Sequence, residues 1–141
     1  MVCPKCEFHF KLDVEQRINL LADRHSFDEF DKTMRTNDPL SFKDSIRYRD
    51  KLKASEKKTG EPDAVRTGRA RINGQKVMIG VFNFAFQGGS MGLVVGEKLT
   101  RMIEAACEEK APVVIVSSSG GARMQEGIFS LMQMAKVTNA L

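Results

Sequence analysis

The sequence predicts an α/β domain with parallel strands, on three observations. Asn73-Gly74 sits between the apolar arms 69–72 and 77–82, the strongest short-range signal for a β-hairpin. Val95, Leu99, Met102, Ile103 and Ala106 then recur on one face of a predicted helix over residues 91–110. Finally, the β-branched run Val113-Val-Ile-Val116 leads into a glycine turn and apolar residues at helical spacing. Strand, helix, strand and helix in that order argue for parallel strands joined by right-handed crossovers.

Composition agrees with a globular domain. The chain has 141 residues, 42% hydrophobic and 28% charged, enough to bury a core without cross-links. Its three cysteines are an odd count, and two form the tight pair Cys3-Pro-Lys-Cys6. That usage suggests a reducing compartment, with the pair as metal ligands or as a redox motif. No apolar run approaches the roughly 20 residues of a membrane span, and the first residues lack an apolar signal core. A cytoplasmic protein without membrane contact is expected. The net charge of +4 is unevenly spread: residues 1–76 hold 17 Lys and Arg against 13 Asp and Glu, and residues 77–141 hold 5 of each. The densest stretch, residues 41–58, has seven bases and three acids. Such a flank attracts a nucleotide-bearing cofactor or nucleic acid, or it is simply a solvated helix face.

In chain order, Asp13 and Gln16 resemble a capping box, and Val14, Ile18 and Leu21 continue at helical spacing to about His25. Phe27, Phe30 and Phe42 surround an Asn37-Asp38-Pro39 turn and read as anchors for this arm. Residues 44–58 read as a second helix, with Gly60 as C-cap and Pro62 as a stop. The second hairpin arm is apolar on both faces, as a strand covered on both sides requires. Gln87-Gly-Gly-Ser-Met-Gly92 breaks the pattern before the long helix, in which Gly92 and Gly96 favour close backbone packing. The last helix places Met124, Ile128, Leu131, Met132 and Ala135 on one face.

The chemistry concentrates in Ser119-Gly-Gly-Ala-Arg-Met-Gln-Glu126. A glycine pair between a strand and a helix leaves amides uncovered, and a helix N-terminus adds a positive dipole end. The site suits a phosphate or an oxyanion, unless the turn is purely structural. Neither nucleotide fingerprint occurs, nor a G-x-S-x-G elbow. The two histidines, His9 and His25, lie far from this turn, so any base comes from substrate or cofactor. Glu126 is either an acid or base, or a complement to the helix dipole. The Gln87–Gly92 turn (87–92) is a tight connection or one wall of the pocket. Cys3 and Cys6 form a single C-x-x-C knuckle, half of a tetrahedral zinc set.

Three segments together, Val2-Cys-Pro-Lys-Cys6, Phe84-Ala-Phe-Gln-Gly-Gly-Ser-Met-Gly92 and Ser119-Gly-Gly-Ala-Arg-Met-Gln-Glu126 with the following Ser130-Leu-Met-Gln-Met-Ala-Lys136, closely resemble the carboxyltransferase β subunits of bacterial acetyl-CoA carboxylases. The resemblance runs over the whole chain. It implies a crotonase-like superhelix of ββα units, here its N-terminal half, with the remnant of an N-terminal zinc ribbon. Residues 1–12 would be the second zinc knuckle, residues 13–63 a basic helical arm, and residues 64–141 the N-terminal part of the carboxyltransferase domain. The implied activity transfers carboxyl from carboxybiotin on the biotin carboxyl carrier protein to acetyl-CoA, giving malonyl-CoA for fatty acid biosynthesis. Gly120 and Gly121 would stabilise the thioester enolate as catalytic residues. Gly88 and Gly89 would shape the acyl-CoA pocket, and Cys3 and Cys6 would be the last two of four zinc ligands; Arg123 is assigned to the CoA phosphates by its charge alone. An α subunit completes the implied assembly, a heterotetramer of two α and two β chains. The family is longer than this chain, which is expected to be a fragment lacking the first knuckle and a second glycine-rich turn. Two other readings are a different crotonase-type acyl-CoA enzyme and a zinc-knuckle nucleic-acid-binding module as a secondary activity.

Overall fold

The structure, a computed structural model, describes residues 2–141. At its centre is the hairpin turned by Asn73-Gly74. Strands β2 (Val65–Ile72) and β3 (Gln75–Phe82) pair antiparallel, from Val65↔Phe82 to Ile72↔Gln75. Both turn residues have positive φ, 49° at Asn73 and 77° at Gly74, as a two-residue hairpin of matching twist demands. The Asp23 carboxylate accepts both turn amides, at 2.9 and 2.7 Å. Beyond β3, strand β4 (Val113–Val116) pairs in parallel with it after the crossover helix α3 (Leu93–Glu109).

The four-stranded sheet has the order β1-β2-β3-β4 and is mixed. Only β3 and β4 run parallel, because the hairpin reverses the chain once before the crossover begins. Strand β1 (Asp28–Phe30) pairs antiparallel with β2 at the other edge, Glu29 facing Gly68. The sequence pattern predicts no strand there, since three residues are too few for alternation to register.

Side chains on β3 point alternately to two layers. Val77, Ile79 and Val81 pack with Val14 and Ile18 of α1 (Val14–Leu21). Met78 joins Val95, Leu99, Met102, Ile103 and Ala106 of α3 on the opposite side. The sheet is thus covered on both faces, as its apolar second arm predicts. The capping box of α1 is present, with Gln16 N–H donating to Asp13 Oδ1 at 2.7 Å and Asp13 N–H to Gln16 Oε1 at 3.2 Å. The helix nevertheless stops at Leu21, short of His25.

The segment expected as a helical arm is woven into the body. It contributes α1 under the sheet and β1 at its edge, and Arg66 joins Glu15 at 2.6 Å and Glu29 at 2.8 Å. Phe27 and Phe30 each pack on one of the two core layers, whereas Phe42 lines a surface cleft with Asp38 and Arg47. Helix α2 (Tyr48–Thr59) begins four residues later than expected, at Tyr48 rather than Asp44. Asp44 instead forms a turn, accepting Ile46 N–H at 2.9 Å and pairing with Lys51 at 2.7 Å. Lys51 and the Ile46 amide hold its carboxyl at about 2. Gly60 closes α2 in the left-handed region as expected, its N–H bonded to Glu56 O at 2.8 Å.

Helix α4 (Ile128–Ala140) departs most from expectation. Met124, Ile128, Leu131, Met132 and Ala135, the predicted core face, point to solvent. A single 3-10 turn, Met124–Glu126, and a break at Gly127 (φ 51°, ψ −131°) come before α4, so Met124 lies outside it; Ile128, Leu131, Met132 and Ala135 keep their helical spacing, but their stripe is left uncovered. Gln133, Val137 and Ala140 face α3 instead. Gly96 permits that approach, because a Cβ there would stand 2.6 Å from Gln133 Cβ. No helix among the described residues is long and apolar enough to cross a membrane.

Two outcomes follow from this packing. A Cβ at Gly68 would overlap the Asp28 carbonyl oxygen and lie 2.7 Å from the Phe27 ring. Gly68→Ala is expected to push β1 from the sheet and lower the unfolding free energy by about 1–3 kcal/mol in urea titrations; a loss below about 0.5 kcal/mol would show that β1 is not so closely docked. Glu109 is tied to Arg69 and Lys76, which hold its carboxyl at about 2. Because the folded value lies below the unfolded one, its contribution is complete above roughly pH 4.3 and is lost as pH falls toward 2. A carboxyl NMR titration of Glu109 should therefore have its midpoint near 2.

Candidate functional site

Two glycine turns leave the same end of the sheet. Residues 83–92 follow β3 and residues 117–122 follow β4. Because β3 and β4 are parallel neighbours, their C-terminal ends release both turns side by side. Gly120 N–H donates to Gly88 O at 2.8 Å, Met91 N–H to Gly121 O at 2.9 Å, and Arg123 N–H to Met91 O at 2.8 Å. The last two bonds make a parallel bridge between Met91 and Ala122. Contact this close excludes a side chain at Gly89, whose Cβ would overlap the Ser118 carbonyl. The structure therefore gathers Gly88, Gly89, Gly120 and Gly121 into one ridge.

The amides along that ridge are not equivalent. Gly120 N–H is already bonded to Gly88 O, so it holds the turn's shape and is not the open donor that the sequence suggests. Gly121 N–H meets only the Ser119 hydroxyl, at 3.1 Å, a partner that can rotate away. Ala122 N–H has no partner among the described residues, since the bridge uses its neighbours' groups. Gly120 and Gly121 are exposed, and a Cβ on Gly88 or Gly121 would meet nothing within 4 Å. Gly121 sits at φ 113°, a conformation that is strained for any side chain. The available donors are thus Gly121 and Ala122. Sequence reasoning missed Ala122 because only the pairing with Met91 decides which peptide groups face outward.

The expected helix dipole is not at this turn. The helical stretch after Ala122 is one 3-10 turn, and α4 starts only at Ile128. Any attraction for an anion comes from the individual amides.

Two clefts reach residues next to these glycines. One, of about 490 Å³, lies between Lys11, Asp13 and Arg17 of the N-terminal segment and the strand ends at Asn83, Phe84 and Ser118. Lys11 Nζ stands 5.1 Å from the Phe84 ring centre there. The other, of about 520 Å³, lies between Lys51 and Ser55 of α2 and Gln87, Ser90 and Ala122 of the turns. Neither histidine lines either cleft.

Arg123 does not face a ligand. Its side chain is 1% exposed, and its guanidinium donates to Asp63 at 2.6 and 3.2 Å, to Ser90 O at 2.8 Å, to Tyr48 Oη at 3.1 Å, to Ser90 Oγ at 3.2 Å and to Glu126 at 3.3 Å. Burial works against its charge, but the Asp63 carboxylate outweighs that and raises its pKa. With every donor engaged, Arg123 cannot meet a CoA phosphate as expected. Glu126 is likewise buried. It accepts Tyr48 O–H at 2.6 Å and, through its other oxygen, Leu93 N–H at 2.6 Å, so it caps the N-terminus of α3. Gly92 leaves room for it, because a Cβ there would lie 2.6 Å from the carboxylate. Burial pushes the Tyr48 hydroxyl far above its ordinary pKa, so it remains a donor. Lys98 is buried nearby, its Nζ 3.5 Å from Val65 O, and burial lowers its pKa. Nothing in helical periodicity marks Tyr48, Asp63 or Lys98; the one signal available was that Tyr48 is the only tyrosine.

Cys3 and Cys6 form a real knuckle. Cys3 N–H bonds Phe8 O and Glu7 N–H bonds Cys3 O, both at 2.9 Å. Amides of Lys5 and Cys6 point at the Cys3 sulfur and lower its pKa. Among the described residues no group of three or more metal-ligating side chains occurs. Two thiols are half the number of ligands a tetrahedral zinc site requires, and a zinc ribbon is not formed by these residues.

Comparison with known proteins places this geometry. Residues 11–141 match the carboxyl transferase domain family. The chain is 53% identical, over all of its length, to the acetyl-coenzyme A carboxylase carboxyl transferase subunit beta of Trichodesmium erythraeum, covering 43% of that protein. It is 51% identical to the chloroplastic counterpart of Pyropia yezoensis, covering 99% of this chain and 49% of that one. The chain therefore spans less than half the length of these relatives. Among solved structures, transcarboxylase 12S with methylmalonyl-coenzyme A bound superposes with a TM-score of 0.76 at 32% identity, over 92% of this chain and 23% of that chain. The Pseudomonas malonate decarboxylase MdcD-MdcE heterodimer superposes with a TM-score of 0.66 at 25% identity, over 92% of this chain and 46% of that chain. The α/β fold is thus the crotonase-like carboxyltransferase fold.

The buried ion cluster carries its own test. Asp63→Ala removes the nearest partner of a guanidinium that has no access to water. Urea denaturation is expected to show a loss of about 3–5 kcal/mol, the range for stripping one partner from a buried pair. A loss under about 1 kcal/mol, as for an exposed pair, would show that the guanidinium reaches solvent.

Proposed function

The chain belongs to the carboxyl transferase domain family, and on that premise we propose that it forms the acyl-CoA half of an acetyl-CoA carboxyltransferase site. The protein it represents transfers carboxyl from carboxybiotin to acetyl-CoA, giving malonyl-CoA. The observation that carries this reading is the open amide pair of the exposed Gly121 and Ala122, with Ala122 lining the cleft it shares with Ser90 and Gln87. Its support from kinship is the β-subunit identity above.

Acetyl-CoA must lose a methyl proton, and negative charge then develops on the thioester oxygen. Gly121 N–H exchanges the Ser119 hydroxyl for that oxygen, and Ala122 N–H donates beside it. A positioned donor of this kind contributes roughly 3–4 kcal/mol to the transition state. Gly120 N–H and Gly88 O keep the turn in shape, and Gly88 leaves the approach open. Carboxybiotin supplies the carboxyl group and, once it has released it, a ring nitrogen able to take the methyl proton. This matches clefts that no histidine lines. The methyl carbon then bonds to the released carbon dioxide. Lys11 and Arg17 line the cleft that reaches Ser118 and are suited to the CoA phosphates, the part expected of Arg123.

The carrier-borne biotin would enter from an α subunit. The outward apolar side of α4, with Ile128, Phe129, Leu131 and Met132 exposed, supports further protein on that flank. Zinc is a structural proposal only: Cys3 and Cys6 would hold it with two thiolates from outside the described residues, and no step runs through it.

In the complete carboxyltransferase, Ala122→Pro removes an open amide without breaking a hydrogen bond at a residue whose φ is not positive, and it is expected to cut malonyl-CoA formation by about 10²–10³-fold. Retained turnover in a folded variant would remove the oxyanion role. Lys11→Glu and Arg17→Glu should raise KM for acetyl-CoA with little change in kcat, and the difference should shrink at high salt. An unchanged KM would place the phosphates elsewhere.

A further inference from the structure

We propose that Tyr48 and Asp63 are positioning residues for the oxyanion turn, acting through the buried guanidinium of Arg123 and the carboxylate of Glu126. The inference rests on the carboxyltransferase reading above and adds to it residues that lie outside both glycine turns, 75 positions before Arg123 at Tyr48 and 60 at Asp63.

Arg123 directly follows Ala122, one of the two open donors. Its backbone N–H holds Met91 O, and its side chain reaches back to hold Ser90 O at 2.8 Å and Ser90 Oγ at 3.2 Å. One residue therefore ties the 117–122 turn to the 87–92 turn at two successive positions. A guanidinium on a long flexible stem sets a distance only if its own plane is held. Asp63 holds it in a fork, taking Nη2 at 2.6 Å and Nη1 at 3.2 Å. Tyr48 Oη closes the other side, accepting from Nη1 at 3.1 Å while donating to Glu126 at 2.6 Å. Through its second oxygen Glu126 fixes Leu93 N–H, the first amide of α3.

These four side chains are at most 1% exposed. Water cannot replace a lost partner cheaply, so the network has one arrangement and not several. The result is a rigid path from the start of α2 and from Asp63, two residues before β2, to the peptide units of Gly121 and Ala122. Orientation matters at this scale, since a displacement near 1 Å in a catalytic group costs about 10²-fold in rate.

The test uses the complete carboxyltransferase with its partner chains. Tyr48→Phe keeps the ring and removes both hydroxyl bonds. It is expected to lower kcat for malonyl-CoA formation by about ten- to a hundredfold, with KM for acetyl-CoA within about threefold of the parent, measured well below the melting temperature of the variant. Asp63→Asn, close in shape, should give the same split, and it decides the matter if Tyr48→Phe does not fold. A lowered melting temperature with unchanged kcat in both variants would reduce the pair to a structural role and overturn the inference. Ala122→Pro is run alongside. If it abolishes turnover while Tyr48→Phe and Asp63→Asn do not, only the positioning role falls. If Ala122→Pro itself keeps turnover, the carboxyltransferase reading of the turn is what has failed.

Discussion

A guanidinium shut away from water organises this molecule. Taking a charge out of water costs several kcal/mol unless partners surround it, and the partners of Arg123 come from three separate parts of the chain: Tyr48 at the start of α2, Asp63 before β2, and Ser90 after β3. Each must be in place for the others to be satisfied. The same contacts that neutralise the charge also bring the two glycine turns together and cap α3 through Glu126. The segment before the hairpin is for this reason part of the domain and not a loose basic arm.

The site follows from where that cluster leaves the backbone. Parallel neighbours β3 and β4 deliver two turns to one edge, and glycines allow the turns to touch where any Cβ at Gly89 would collide. Once they touch, the bridge between Met91 and Ala122 divides the peptide groups into those bonded inward and those left facing the clefts. Selection of donors is thus a by-product of pairing. A turn of free-standing glycines would offer more amides, but with no fixed direction, and fixed direction is what electrostatic stabilisation of a transition state needs.

Local chemistry settled much of this in advance. Asn73-Gly74 determined the hairpin because few other dipeptides adopt positive φ twice in succession. The α3 face, Val95 to Ala106, was legible because the helix is long and its spacing unbroken. The capping box at Asp13 and the left-handed cap at Gly60 were also legible, since each is a contact between near neighbours. The glycine-rich stretches marked the site itself, and their order along the chain carried the family resemblance.

Tertiary structure alone decided the remainder, and in each instance the reason is distance along the chain. Strand β1 exists because Gly68 admits it, which three residues of local pattern do not reveal. The face that α4 turns to α3 was set by the close approach of Gln133 to Gly96, which leaves the regular apolar stripe of Ile128, Leu131 and Met132 uncovered, something spacing alone cannot tell. Arg123 read as a phosphate ligand while its charge was considered alone, and became a strut once Asp63 was found 2.6 Å away. Sequence determined the central hairpin, the long crossover helix and the local caps, because propensities and caps act over a few residues. Which amides are open, and what holds them, belonged to the fold, because hydrogen bonds between residues 60 or 75 positions apart leave no trace in spacing.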